Sequence, residues 1–161
     1  MELNREGVYK LESIENIKAF IFAGKATLTL ESKRTGTWFT YKIKKANKEE
    51  DSPYFVSVLT GMNNDSAYTY MATIFNNNGV NVLRLTKHSK IGEKAISYKA
   101  FSFFFSLINK NKLHKEINIY HRGVCGRCGR LLTVPESLIN GLGPFCSGKG
   151  ATRKKKELIH T

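Results

Sequence analysis

At 161 residues the chain has room for one domain of ordinary size, with or without a small appendage, and its 41% hydrophobic and 11% aromatic content predicts a folded protein. Twenty-six Lys and Arg against 13 Asp and Glu leave a net charge of +13, which favours a polyanionic partner, nucleic acid first among them. No run of about 18 apolar residues occurs, so no transmembrane helix is predicted and no membrane partner is expected, the polar start MELNREGVYK does not read as a signal peptide, and an odd count of three cysteines does not suit a disulfide framework.

Ile14, Ile17, Phe20 and Ile21 recur at helical spacing behind Ser13 as a cap, so a short helix is predicted to end at Gly24. KATLTLES then alternates, with Ala26, Leu28 and Leu30 on one face and Thr27, Thr29 and Glu31 on the other. KRTG supplies a turn into TWFTYKIKK, and so short a connection demands an antiparallel hairpin. In that second strand Phe39, Tyr41 and Ile43 suit a core, whereas Trp38, Thr40, Lys42 and Lys44 suit solvent or a ligand. Three further strands are expected in YFVSVLTG, YTYMATIF and NVLRLT, separated by the turns MNNDS and NNNG.

Ser97 is the expected cap of a second helix whose Tyr98, Phe101, Phe104, Phe105 and Ile108 form a wide apolar stripe. HKEINIY reads as one more strand, with Ile117 and Ile119 inward, and Pro135, Glu136 and Ser137 open a single helical turn. The expected fold is α+β: a twisted antiparallel β-meander of about five to six strands with one or two packed helices, plus a small C-terminal zinc-ribbon-like knuckle. The expected boundaries are a sheet domain over residues 1–118, a zinc-binding module over 119–150 and a basic tail over 151–161.

His121, Cys125, Cys128 and Cys146 have the form H-x3-C-x2-C-x17-C. Zinc takes four nitrogen or sulfur ligands in a tetrahedron, and Cys3His is a common structural set. Two residues between Cys125 and Cys128 let one tight turn aim both thiolates at a point, with Gly126 and Gly129 easing the curl. His121 is preferred as the fourth ligand for its nearness in sequence; His114 and His160 are its competitors. A redox pair is disfavoured because the context is not βαβ, and metal-free buried cysteines are the remaining alternative. Such a site carries formal charge −1, which Arg122, Arg127 and Arg130 either offset or leave while contacting phosphates. GPFCSGKG nearly matches a phosphate loop but ends in Gly150 where a hydroxyl is needed, follows no strand and contains Cys146, so it is set aside.

The segment from His121 to Cys146, HRGVCGRCGRLLTVPESLINGLGPFC, resembles a small zinc-ribbon-like domain of unknown function found in bacteriophage proteins. The resemblance is carried by His121, Cys125, Gly126, Cys128, Gly129, Arg130, Leu132, Thr133, Pro135, Ser137, Gly141, Gly143, Pro144 and Cys146. AGKATLTLESKRTGTWFTYKI and YFVSVLTG also resemble the region that precedes this domain in phage proteins. The resemblance implies a phage origin, and so the cytoplasm of an infected bacterial cell, together with a bound Zn2+; it implies no activity.

No catalytic arrangement stands out, so the expectation is a binding protein and not an enzyme. The last 41 residues carry eight cations and two acids, which makes Arg122, Arg127, Arg130, Lys149, Arg153, Lys154 and Lys155 one basic patch. Trp38, Lys42 and Lys44, with Arg84 and Lys87 on a later strand, supply a second. Cations interleaved with aromatics suit single strands, whose bases stack while their phosphates pair, so single-stranded DNA is the expected partner, with RNA as the variant. The competing expectation is a module that docks on a phage or host polymerase, nuclease or replication complex.

Overall fold

The computed structural model describes residues 9–60, 67–132 and 135–143. The alternation of the sequence becomes a seven-stranded, wholly antiparallel sheet. In chain order its strands are β1 (Tyr9–Lys10), β2 (Lys25–Ser32), β3 (Trp38–Lys45), β4 (Tyr54–Leu59), β5 (Tyr68–Asn77), β6 (Val80–Arg84) and β7 (Ile117–His121). Their spatial order is β1-β7-β2-β3-β4-β5-β6, so β2 to β6 run as the expected meander while β7 returns to lie between β1 and β2. The five or six strands expected become seven because β1 has only two residues, too few to show a period, and takes its place only through β7.

Helix α1 (Ile14–Ile21) starts where the sequence indicates: the Ser13 hydroxyl accepts from the backbone N–H of Asn16 at 3.0 Å. Helix α2 (Ile96–Asn109) does not. Its cap is Ala95, without a side-chain bond, and Ser97 lies inside the first turn. The Ser97 carbonyl instead accepts the hydroxyl of Tyr41 at 2.7 Å, which spares that buried phenol the cost of an unpaired donor. Helix α3 (Pro135–Asn140) is the turn expected at Pro135.

One sheet face carries the core. Leu28, Tyr41, Ile43, Val56, Val58 and Ile74 are buried there, and α2 covers them with Phe101, whose ring lies 4.9 Å from that of Tyr41. A bulge between Val56 and Ser57 shifts the register against β5, and Met71 and Ala72 are both buried beside it. The boundary drawn at residue 118 falls inside β7, and Cys125, Leu132 and Leu142 belong to the same core as the sheet and helices. The described residues after β7, 122–132 and 135–143, thus belong to the same body as the sheet, with α3 against α1 and β1. The proposed tail, 151–161, lies outside the described residues.

Candidate functional site

The cysteine segment forms a tight hairpin. The N–H of Cys125 donates to the carbonyl of Arg130 at 2.8 Å, that of Gly129 to the carbonyl of Cys125 at 3.0 Å, and that of Leu132 to the carbonyl of Gly123 at 2.7 Å. This curl turns two backbone N–H groups onto the Cys125 sulfur: Arg127 at 3.4 Å and Gly143 at 3.3 Å. Burial pushes the Cys125 thiol up, but the N–H groups of Gly143, Cys128 and Arg127, with the Cys128 side chain, outweigh it and bring its pKa down to about 7. Cys125 is buried and Cys128 exposed. Gly143 therefore returns the chain to the Cys125 sulfur three residues before Cys146, a span of at most about 10 Å. Cys146 itself, with Lys149, Arg153, Lys154, Lys155, His160 and all but Gly143 of the phosphate-loop-like stretch, lies outside the described residues.

His121 is placed differently from the ligand the spacing suggests. It is fully buried at the end of β7. Its Nδ1 accepts from the N–H of Gly123 at 3.0 Å, and its Nε2 meets the carbonyl of Leu138 at 2.6 Å, where only an N–H can donate. One neutral tautomer satisfies both contacts and leaves no lone pair for a metal. The ring also stacks on Tyr9 at 5.5 Å and tilts against Phe20 at 5.6 Å. Burial lowers its pKa, with the bond to Leu138 acting in the other sense. Among the described residues no three of His, Cys, Asp and Glu converge as a metal-holding group. His114 lies on an exposed loop, its Nδ1 accepting from the N–H of Glu116 and its ring edge-on to Phe103.

The motif glycines have a packing role that spacing alone does not reveal. A Cβ on Gly126 would come within 2.8 Å of the Phe20 ring, and one on Gly141 within 2.5 Å. The ring of Phe20, from α1, is thus clasped between the hairpin and the turn after α3.

On the other sheet face no described helix covers the strands. There the register aligns Lys25, Lys44, Phe55, Thr73 and Arg84 in one cross-strand row from β2 to β6. Phe55 is 44% exposed, and Phe75, one strand over and further along, is 38% exposed. Tyr70 stands edge-on to Phe55 at 6.2 Å. Lys42, in the next row, holds its ammonium 4.2 Å above the ring of Tyr68. Trp38 is separated from this cluster: six residues along β3 from Lys44, about 20 Å at strand spacing, and paired with Glu31. Lys87 is exposed in the loop beyond β6. Arg122, Arg127 and Arg130 are all exposed around the cysteine hairpin. Phe55 and Phe75 were not among the residues singled out from the sequence; the alternation F-V-S-V in β4 was the available signal.

The family model of unknown function DUF6011 matches residues 119–149, which is the hairpin, α3 and the segment through Cys146. Neither a curated protein nor a solved structure matches the chain.

Proposed function

We propose that this protein binds single-stranded nucleic acid, DNA in preference to RNA, on the open face of its sheet. The observation that carries this reading is the row Lys25–Lys44–Phe55–Thr73–Arg84, which sets the exposed ring of Phe55 beside Lys44 on the neighbouring strand and, across the buried Thr73, in line with Arg84 two strands away. Phe55 and Phe75 offer two stacking faces roughly 8 Å apart, from one strand spacing and two residues along it. Lys42, Lys44 and Arg84 then pair with phosphates, and the exposed Arg122, Arg127 and Arg130 extend the positive surface. This role is binding and not catalysis.

Zinc belongs to the same proposal. The Cys125 sulfur, with two backbone N–H donors and a lowered thiol, has the surroundings of a metal-bound thiolate, with Cys128 beside it and Cys146 close in sequence to Gly143. A zinc ion there is structural and ties the returning chain to the hairpin. The resemblance of the cysteine segment supports a place in the cytoplasm of an infected bacterial cell.

Fluorescence anisotropy with a labelled oligothymidylate across a salt series tests the interface. Affinity is expected to fall steeply with salt, and Lys44→Ala or Arg84→Ala to reduce the log–log slope by about 0.7 each. Phe55→Ala is expected to weaken binding by about tenfold or more without changing that slope, and Trp38→Ala to weaken it less. Absence of binding at low salt, or affinity indifferent to both Phe55→Ala and Phe75→Ala, would sink the reading. Elemental analysis after purification without added metal is expected to find about one zinc per chain; a folded, metal-free wild type would remove zinc from the proposal.

A further inference from the structure

The sheet ends on two strands that are built differently. β1 has only two residues and carries Lys10, a short and charged edge of the kind that resists further pairing. β6, at the other end, has five residues, and among the described residues no strand lies beyond it. Asn78 and Gly79 form the turn into it with φ of +53° and +85°, the two-residue type I′ geometry, so Asn77 and Val80 are a hydrogen-bonded pair. Bonded pairs then alternate along the ladder: Val82 and Arg84 bond to β5, whereas Asn81 and Leu83 turn their N–H and C=O groups outward. The Asn81 carbonyl agrees with this, because it accepts from the Asn109 side chain at 3.0 Å. The Asn81 N–H and both backbone groups of Leu83 have no outward partner among the described residues. Residues 66–83 contain no Lys, Arg, Asp or Glu, the longest uncharged run in a chain of net charge +13. The edge is therefore neutral except for Arg84 at its far end, and Val80, beside the turn, is 59% exposed.

From this open, uncharged ladder we infer that β6 is a self-association edge, on which a second copy of the chain adds its own β6 antiparallel about a two-fold axis. Outward backbone groups on an edge strand are a template for another strand. Charge selects the occupant. Two chains of +13 approach at low cost only where neither carries charge, and a neutral edge offers an acidic partner nothing to pair with. The register that pairs the whole of β6 sets Val82 opposite Val82 of the second copy, Asn81 opposite its Leu83 and Val80 opposite its Arg84. It joins the outward groups of Asn81 and Leu83 in both directions, the Asn81 carbonyl having a second lone pair beside the one Asn109 uses. It also holds the two Arg84 residues about 13 Å apart along the strand. Val80, Val82 and Arg84 alternate onto the same face as Phe55 and Phe75, so the pairing makes that face continuous across both copies.

Sedimentation velocity of the full chain, across protein concentration and salt, is the test. A reversible species of twice the chain mass is expected, and its dissociation constant is expected to fall as salt rises, because salt screens two like-charged bodies. Nucleic-acid binding depends on salt in the opposite sense, so the two proposals fail separately. Val80→Lys and Val80→Glu are a signed pair at an exposed position. Each acts twice across the two-fold, against or toward Arg84 of the other copy, so association about fivefold weaker and about fivefold tighter is expected in turn. Ile96→Lys and Ile96→Glu change the net charge equally at the far end of α2 from Asn109, and are expected to move association by less than about twofold. Asn81→Pro removes an outward N–H and no bond to β5, so it is expected to weaken association at least about tenfold while the urea midpoint of the dilute monomer stays that of wild type. Should Asn81→Pro unfold the chain, the Val80 pair decides alone. A wild type that stays monomeric at millimolar concentration in high salt overturns the inference. So does a dimer that salt dissociates, or one whose response to the Val80 pair is no larger than to the Ile96 pair.

Discussion

His121 shows how one residue type can satisfy two readings until its hydrogen bonds are known. Its distance from Cys125 suits a zinc ligand, but in the structure it joins β7 to α3, with Gly123 on one nitrogen and Leu138 on the other. The two roles separate experimentally. As a latch, His121→Gln is expected to cost about 2–4 kcal/mol, from two unpaired buried backbone groups and lost ring contacts with Tyr9 and Phe20. Urea denaturation reads that cost, while the zinc content of the folded variant stays that of wild type. As a ligand, the same change lowers zinc content. The pH dependence follows from the direction of its shift. Burial holds the folded His121 below its ordinary 6.5, so the unfolded chain binds the proton first. Stability from this residue is therefore full above pH 6.5 and is lost as pH falls. His121→Gln should lack that part of the acid-side slope. Cys125 is lowered as well, so in metal-free protein the thiolate absorbance that Cys125→Ser removes should rise with a midpoint of about 7.

Among the elements, α1 is the one that both halves of the chain need. Its Phe20 is buried between Gly126 and Gly141, and the same ring touches His121. Gly141→Ala combines a backbone φ of +75° with a Cβ placed 2.5 Å from that ring. It is expected to cost about 2–4 kcal/mol, from the left-handed conformation and overpacking together. Gly129→Ala is the control: its φ is +79° but open space surrounds its Cβ, so about 1 kcal/mol is expected. Equal midpoints for the two variants in urea would show that the clasp on Phe20 contributes nothing. Strands β2 to β7 and helix α1 were legible in the sequence because period and turn residues agree there, and the residues assigned to the core face of β2 and β3 lie on it; Thr29 and Thr40, assigned outward, are instead buried, their hydroxyls 2.8 Å apart. The start of α2 was not legible. Ser97 has the chemistry of a cap, but Tyr41, fifty-six residues away, sets where its backbone must lie. The open face was half legible: Lys42, Lys44 and Arg84 could be read from alternation. Their alignment with Phe55 depends on register across four strand pairs and on the bulge in β5.

At the scale of the molecule, the boundary that the sequence suggests at residue 118 falls inside β7, a strand paired on both sides. Composition changes there, with the cysteines and a rising share of cations, and a local reading has no means of knowing that β7 is destined for the interior of the sheet. The register makes the dependence plain. Five residues of β7 pair with β2 from Leu28 to Ser32, two more pairings hold β1, and the N–H of Leu11 donates to the carbonyl of Ile119 at 2.8 Å. A chain ending at residue 116 would lose those ladders and expose Leu28, Leu30 and Phe20, all buried in the whole protein. Burying a side chain of this size contributes about 1.5–3 kcal/mol, and a domain's total margin is about 5–15 kcal/mol. The fragment 1–116 is therefore expected not to fold cooperatively, as judged by loss of a sigmoidal urea transition and of amide dispersion in NMR. A fragment that melts like the full chain would restore the two-domain division. The same geometry bears on zinc. If the metal holds Cys146 to the hairpin, its removal loosens the clasp on Phe20 and, through β7, the sheet itself. Chelation should therefore lower the melting temperature of the whole protein in a single transition, and a separate early transition confined to the cysteine segment would show that the two parts are energetically independent.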